Sequence, residues 1–478
     1  MPKTVIGNPG EAGLSRQIYE TFKARILSGQ MAEGEPIPST RELAAELGVS
    51  RNTVSAAYDL LWAEGFIERS QGAPSRVAGG LRIRQTQKSA VSGQGKKSKA
   101  EWKWDFRTGQ PDLAAFPWKA WNDAVKSAAD SLPARQLAYG GPKGYGPLCE
   151  EIAGWLFRAR NMEVDPEDVF ISSGSTQALY LLVEMLRREN RAFLLEDPCH
   201  PGIRTMIADR GLPMDWMPVD AHGAQVSALE AKEIAAVYVT PSHQFPLGGI
   251  LPASRRAALI RLAAEKDFYV IEDDYDSEFR YAGMPVSPIC SMDRTRVIYV
   301  GTFSKTMFPA LRIGFVVLPR ALHAAWRHSR NYMDVQNPVL EQAALALFLK
   351  TRKMDRHVRR MRRLYGEKRG VLLQAIRAAF GESVIPWGDA AGLHLALQFP
   401  KREFDAGFLE RCKAAGLYLS IISRYCASPG EHTDMLLLGY GHLSAGQIRE
   451  GIETLNQLIS ESTRTDAAEI QKEYGRRG

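Results

Sequence analysis

The sequence predicts a multidomain chain: an N-terminal all-α helix-turn-helix block with a small β wing, followed by a larger C-terminal α/β domain. Three observations predict it. Apolar residues recur at helical spacing through residues 14–65, with capping residues between the runs. From Asp105 onward, short apolar runs of strand type alternate with helical patterns. Between the two blocks lies a segment rich in Gly, Ser, Gln and Lys that shows no periodicity. At 478 residues the chain is also too long for one small core.

The first helical run, residues 14–29, places Ile18, Phe22, Ile26 and Leu27 on one face and ends at Gly29. Ser39 and Thr40 cap a second run over residues 41–47, which Gly48 breaks. Ser50 caps a third, with Val54, Tyr58 and Leu61 pointing one way. Two short helices joined by a tight glycine-containing turn make a helix-turn-helix. Residues 66–69 and 76–78 flank a turn at 70–73 and make a small hairpin, the wing. In its first turn the third helix presents Arg51, Asn52 and Thr53, where a recognition helix meets base edges and phosphates. Three small helices also build protein-docking domains, and this block is not basic, so pattern alone leaves both readings open.

The net charge of +7 is unevenly spread: residues 1–80 carry −1, residues 81–104 carry +6, and the remainder carries +2. A basic linker beside a DNA reader supplies phosphate contacts, and alone it is a solvated spacer. No apolar run approaches the roughly 18 residues of a membrane span, and the N-terminus lacks the apolar core of a secretory signal. A cytoplasmic protein is expected. The five cysteines are scattered, odd in number and without a C-x-x-C pair, so neither a disulfide framework nor a metal site is expected.

In the large domain, strands are expected at 169–172, 192–196, 236–239, 268–272 and 297–300. Alternation with helices argues a mostly parallel sheet, whose ligands bind at the carboxyl ends of its strands. Every candidate falls there. The turn Ser172-Ser173-Gly174-Ser175-Thr176-Gln177 opens a helix and offers hydroxyls and backbone N–H groups to a phosphate. Asp273 ends one strand, and Lys305 follows another in Thr302-Phe303-Ser304-Lys305-Thr306, with Arg312 seven residues on. This is the arrangement a pyridoxal phosphate site needs. The lysine condenses with the cofactor aldehyde, the aspartate holds the pyridine nitrogen protonated, and hydroxyls with an arginine bind the phosphate.

The stretch from Ile37 to Ala44, continuing from Leu47 to Val54, resembles the winged helix of GntR-type bacterial regulators over about residues 14–78. The resemblance implies that Arg41 grips phosphate and that Ser50 and Arg51 read operator DNA with Thr53 assisting. The wing retains one tip glycine, Gly72, where the family typically shows two. Residues 105 to about 460 resemble fold type I aminotransferases, which implies a smaller α+β lobe, and the whole chain resembles the MocR subgroup of GntR regulators.

That resemblance assigns Asp273 to the pyridine nitrogen, Tyr275 to the phenolic oxygen and Lys305 to the Schiff base. Thr302, Ser304, Arg312, Ser175 and Thr176 fall to the phosphate, and Tyr139 to the phosphate of a partner subunit's cofactor. His200 stands where the family usually has a stacking tyrosine, and Phe245 where aminotransferases have an asparagine. Arg424 is the candidate for an effector carboxylate.

The expected organisation is an N-terminal extension over 1–13, a DNA-binding domain over 14–80, a flexible basic linker over 81–104, a pyridoxal phosphate-binding effector domain over 105–462 and a polar tail over 463–478. The expected function is a transcriptional regulator that senses pyridoxal phosphate, or an amino compound reacting with it, and alters its binding to double-stranded operator DNA. The resemblance implies a domain-swapped homodimer. The alternative is an aminotransferase acting on an amino acid or amine with a keto-acid acceptor. As a regulator the chain would retain at most a weak half-reaction. Pyridoxal phosphate itself, γ-aminobutyrate, taurine, an ectoine-derived amine and D-alanyl compounds all fit the general site logic.

Overall fold

The computed structural model describes residues 13–70, 72–81, 102–229, 232–281, 286–388 and 390–474, with side chains as far as residue 461. Nearly all of the expected N-terminal extension and basic linker, and the last four residues of the tail, lie outside the described residues. The chain divides into two compact units, Met1–Ala100 and Glu101–Gly478.

The first unit holds α1 (Leu14–Leu27), α2 (Thr40–Leu47) and α3 (Arg51–Ala63). It also holds a hairpin of β1 (Ile67–Glu68) and β2 (Arg76–Val77), in which Ile67 faces Val77. Burial on α1 follows the expected stripe with one change. Tyr19 joins Ile18, Phe22 and Ile26 in the core, while Leu27 is only partly buried. A tyrosine is admitted there because its hydroxyl reaches the edge of the unit and donates to Glu64. The start of α2 is a full capping box: Ser39 Oγ accepts from the Glu42 amide at 3.2 Å, and Glu42 Oε2 accepts from the Ser39 amide at 3.0 Å. Gly48 ends the helix at φ 66°, a left-handed conformation that glycine adopts without strain. Ser39→Ala should cost about 1 kcal/mol locally, read as roughly fivefold faster hydrogen exchange of the α2 amides.

The second unit enters on β3 (Trp104–Asp105), which pairs in parallel with Leu417–Tyr418. The helices α4 (Trp118–Ser131) and α5 (Gly146–Arg160) lead into an eight-stranded sheet. Its strands are β4 (Val169–Ser172), β5 (Ala192–Asp197), β6 (Met214–Asp220), β7 (Gly223–Ala224), β8 (Ile234–Val239), β9 (Tyr269–Asp274), β10 (Val297–Thr302) and β11 (Gly314–Val317). Their spatial order is β4-β11-β10-β9-β8-β5-β6-β7. The stretch β10-β9-β8-β5-β6 is parallel throughout. The central strands are buried on both faces, as their near-continuous apolar and aromatic content requires. Apolar cores lie on both sides of the sheet.

Three strands of this sheet, β6, β7 and β11, were not foreseen, and β11 bears directly on the site. β11 returns antiparallel between β10 and β4, with Thr302 opposite Gly314 and Gly314 opposite Ser172. The chain therefore leaves the sheet after Thr302 and re-enters at Gly314 at the same end of the strands, so Lys305 and Arg312 lie on one excursion beside the start of α6 (Ser175–Leu186). Gly314 is required by proximity: a Cβ there would lie 2.8 Å from the Gly174 backbone.

A smaller lobe follows the long helix Lys353–Phe380. Its sheet contains β12 (Ile385–Trp387), β13 (His394–Gln398), Met435–Gly439 and Ser420–Ile421, all antiparallel, over a core of its own. The last helix runs from Ala445 to Tyr474, so the backbone of the expected tail is helical through most of its length. Among the described residues no helix is long and apolar enough to cross a membrane.

Candidate functional site

The carboxyl ends of β8, β9 and β10, the N-terminus of α6, the α7 helix (Pro201–Ala208) and β13 of the smaller lobe enclose a cavity of about 460 Å³. Lys305, Asp273, Tyr275, Thr302, Ser304, Arg312, Ser175, Thr176 and His200 all line it. These residues span more than a hundred positions of sequence, and the strand ends bring them to one place.

Asp273 is 8% exposed. Its Oδ2 accepts a hydrogen bond from Tyr238 at 2.8 Å, and among the described residues its Oδ1 has no partner. A buried, half-satisfied carboxylate is costly unless a ligand completes it. Burial, chiefly, pushes this carboxyl up to about 7. Lys305 donates from Nζ to the carbonyl of Gly109 at 2.7 Å. Burial lowers its pKa, while Asp276 and Asp273 oppose the shift. An amine held closer to neutrality is a better nucleophile toward an aldehyde.

The residues expected to cradle a phosphate meet at the start of α6. Gly174 precedes the helix at φ 84°, and Arg312 Nη2 donates to the Ser173 carbonyl at 2.7 Å. Thr302 Oγ1 donates to Ser304 Oγ at 3.0 Å. A Cβ on Gly174 would come within 2.9 Å of Arg312 Nη2. Gly174→Ala should therefore displace the guanidinium and weaken pyridoxal phosphate about tenfold, while affinity for pyridoxal, which lacks the phosphate, changes little. Parallel absorbance titrations of the two compounds check this.

The remaining candidates are placed differently. Tyr275 lines the cavity, with its hydroxyl donating to the His243 carbonyl at 2.9 Å. His200 is the N-cap of α7, its Nδ1 accepting from the Gly202 amide at 3.0 Å, and its ring lies 5.4 Å from that of Phe245. Tyr139 is 89% exposed and does not line the cavity. Arg424 is also exposed and does not line it. Its carbonyl accepts from Arg204 at 3.4 Å.

Several groups escaped the sequence reading. His243 Nδ1 pairs with Asp276 Oδ1 at 3.0 Å, both side chains being almost fully buried. Asp276 and His394 line the cavity, as do Thr108, Gly109 and Tyr238. His243 stands two residues before Phe245 and Asp276 directly follows Tyr275, so proximity to these two candidates was a usable signal. His394 is an isolated histidine in an apolar strand and carried none. Beneath the cavity, Arg160 of α5 contacts Asp274 at 2.6 Å with both side chains 2% exposed, and Tyr299 donates to the same carboxylate at 2.7 Å.

In the N-terminal unit, Arg41 and Arg51 are exposed. Arg51 Nε donates to Thr40 Oγ1 at 3.3 Å, so the third helix's first arginine leans toward the second helix. Ser50 Oγ accepts from the Thr53 amide at 3.1 Å and lies 2.8 Å from Thr53 Oγ1. Both hydroxyls thus contribute to the cap. Gly72 lies exposed in the wing turn at φ 80°.

A winged-helix unit and an aminotransferase-like unit with this cavity, on one chain, define a class of transcriptional regulator built on an enzyme fold. Residues 14–77 match the bacterial regulatory proteins of the gntR family, and residues 103–418 match aminotransferase class I and II. The chain belongs to the MocR subgroup of the GntR family of bacterial transcriptional regulators. It is 31% identical to the probable rhizopine catabolism regulatory protein MocR of Rhizobium meliloti, over 95% of each chain. It is 29% identical to the pyridoxine biosynthesis transcriptional regulator PdxR of Corynebacterium glutamicum, over 95% of this chain and 98% of that one. Among solved structures it resembles the multiple substrate aminotransferase of Thermococcus profundus, with TM-score 0.71 and 25% identity over 77% of this chain and 93% of that one. The kynurenine aminotransferase of Pyrococcus horikoshii superposes with TM-score 0.70 and 26% identity, over 76% and 92% of the respective chains.

Proposed function

We propose that this regulator holds pyridoxal phosphate in the cavity around Lys305 and changes its affinity for operator DNA when an amino compound enters. The observation that carries the reading is the unpartnered, buried Oδ1 of Asp273, in one cavity with Lys305 and the Ser175–Thr176–Arg312 cradle. These residues fit the cofactor. Asp273 would hold the pyridine nitrogen, Tyr275 the phenolic oxygen, and Lys305 the aldehyde carbon. Ser175, Thr176, Thr302, Ser304 and Arg312 would hold the phosphate, with His200 against the ring. When bound, pyridoxal phosphate supplies an aldehyde that exchanges between amines.

The chain's own residues suggest how exchange is felt. Lys305 stands past the carboxyl end of β10, and the Gly109 carbonyl it touches belongs to the segment that packs on the smaller lobe, where the Gly439 amide donates to the Phe106 carbonyl. A lysine released by an incoming amine is free to hold Gly109. A lysine engaged with the cofactor is not. The two states favour different lobe separations, and an effector that discriminates between them shifts the population. Operator binding then shifts effector affinity by the same factor. Arg41, Ser50, Arg51, Thr53 and Gly72 would face the DNA. Tyr139 would reach the cofactor phosphate of a partner subunit in a domain-swapped, cytoplasmic homodimer.

The test is an absorbance spectrum of the purified full chain with pyridoxal phosphate, compared with Lys305→Ala, alongside binding to DNA from its own promoter region. A Lys305-dependent band, with amines altering DNA affinity and no sustained keto-acid production, is the expected result. Many turnovers without any effect on DNA binding would favour the aminotransferase. Absence of the band would overturn the cofactor reading.

A further inference from the structure

The cavity also carries information about the chemical class of the effector, an inference that rests on the cofactor reading above. Among the described residues lining it, the cationic side chains are Lys305 and Arg312. Lys305 is the group that exchanges with amines, and Arg312 is tied to the Ser173 carbonyl in the phosphate cradle. Neither remains for an effector carboxylate, and Arg424 does not line the cavity.

The wall supplied by the smaller lobe and the loop after β9 is furnished in the opposite sense. His394 is 3% exposed and packs against Phe245 and His243, with ring centroids at 5.4 and 4.6 Å. Its ring lies beside the Pro246 backbone, and among the described residues its Nε2 has no hydrogen-bond partner. Burial and the neighbouring His243 and Lys305 disfavour the protonated ring, and a neutral imidazole carries one bare acceptor nitrogen, which is Nε2 when the proton sits on Nδ1. Beside it, the Asp276 carboxylate lines the same cavity, accepting from His243 Nδ1 at 3.0 Å and from the Leu393 amide at 3.3 Å. Ligand-type atoms of His394, Asp276 and His243 lie within 4.8 Å of one another. Around them the lining is apolar, from Leu179, Ile203, Met206, Phe245 and Leu393.

The geometry points to an effector that is a primary amine bearing hydroxyl groups or a second amino group and no carboxylate, its donors accepted by His394 Nε2 and Asp276. A carboxylate would bring lone pairs to lone pairs and a negative charge toward Asp276 and Asp273. An alcohol or ammonium satisfies an acceptor that otherwise stays buried and unpaired.

The test uses the full chain loaded with pyridoxal phosphate and two probes of similar length, 1,3-diamino-2-propanol and γ-aminobutyrate, followed by calorimetry and by displacement of the Lys305-dependent band. Half-saturation is expected at a concentration at least about tenfold lower for the diamino alcohol. His394→Phe should remove most of that preference by weakening the diamino alcohol alone, and His394→Gln, which keeps an acceptor, should retain most of it. The wild-type ranking decides even where a variant folds poorly. Equal or tighter binding of γ-aminobutyrate, binding of neither probe, or equal weakening of both by His394→Phe would overturn the assignment. If the band is present and the ranking is wrong, only the effector class fails. If there is no band, the cofactor reading fails first.

Discussion

Asp273→Asn is expected to raise the stability of the cofactor-free protein above pH 7 and to weaken pyridoxal phosphate on the order of 10²-fold. The two effects have one cause. Burial lifts the Asp273 carboxyl from the usual 3.8 to about 7. Between those values the unfolded chain releases a proton that the folded chain keeps, so stability falls as pH rises through this window. The penalty is fully present above pH 7 and absent below about pH 4. Asparagine is neutral, and its carbonyl still accepts from Tyr238, which now donates to Oδ2 at 2.8 Å. The variant therefore escapes the penalty without orphaning the tyrosine.

The bound state reverses the balance. If Asp273 holds the cofactor as proposed, a protonated pyridine nitrogen would stabilise the ionised carboxylate, and the amide could not replace that charge. Thermal unfolding of both proteins, with and without pyridoxal phosphate from pH 5 to 8, checks the whole argument. The apo variant should gain on the wild type as pH rises, and the cofactor-induced increase in Tm should shrink. A variant less stable than the wild type throughout would assign Asp273 to the architecture rather than to a ligand.

How much of this was legible in the sequence depended on the range of the interaction. The Ser39 cap, the Gly48 stop and the Ser50 cap are made by residues within a few positions of one another and were read from the sequence. Thr40, by contrast, proved to be the first residue of α2, and the return bond from Glu42 was not read. The core strands announced themselves as apolar runs, and topology alone dictates that residues just past their ends share a cavity. Direction was not legible. Gly314–Val317 is four residues of apolar chain, and nothing local says that it runs backward between β10 and β4. His394 reaches Phe245 and Tyr275 across more than a hundred residues, from a different lobe. Arg424 failed to reach the cavity for a related reason. Its placement in the C-terminal lobe was inferred from order along the chain, and the short helix Ile422–Tyr425 instead turns Tyr425 toward Phe245.

The second large effect lies under the cavity, in a pair that contacts no ligand. Arg160→Met should destabilise the aminotransferase-like unit by about 3–5 kcal/mol, lowering its Tm by roughly 5–10 °C. Arg160 and Asp274 are each 2% exposed and 2.6 Å apart. Methionine fills much of the arginine's volume but leaves the buried Asp274 carboxyl without its cation, with the Tyr299 hydroxyl as its remaining side-chain partner among the described residues. The damage spreads to the cofactor site. Asp274 adjoins Asp273 and its charge already opposes ionisation of that carboxyl. Without the guanidinium this opposition grows, so pyridoxal phosphate should bind more weakly although no contacting residue has changed. Pairing Arg160→Met with Asp274→Asn separates charge from packing. If the uncompensated carboxylate causes the loss, the double variant recovers at least about 2 kcal/mol relative to the sum of the singles and regains much of the cofactor affinity. If the singles simply add, the guanidinium acts by filling space, and the electrostatic account of how α5 supports Asp273 is wrong.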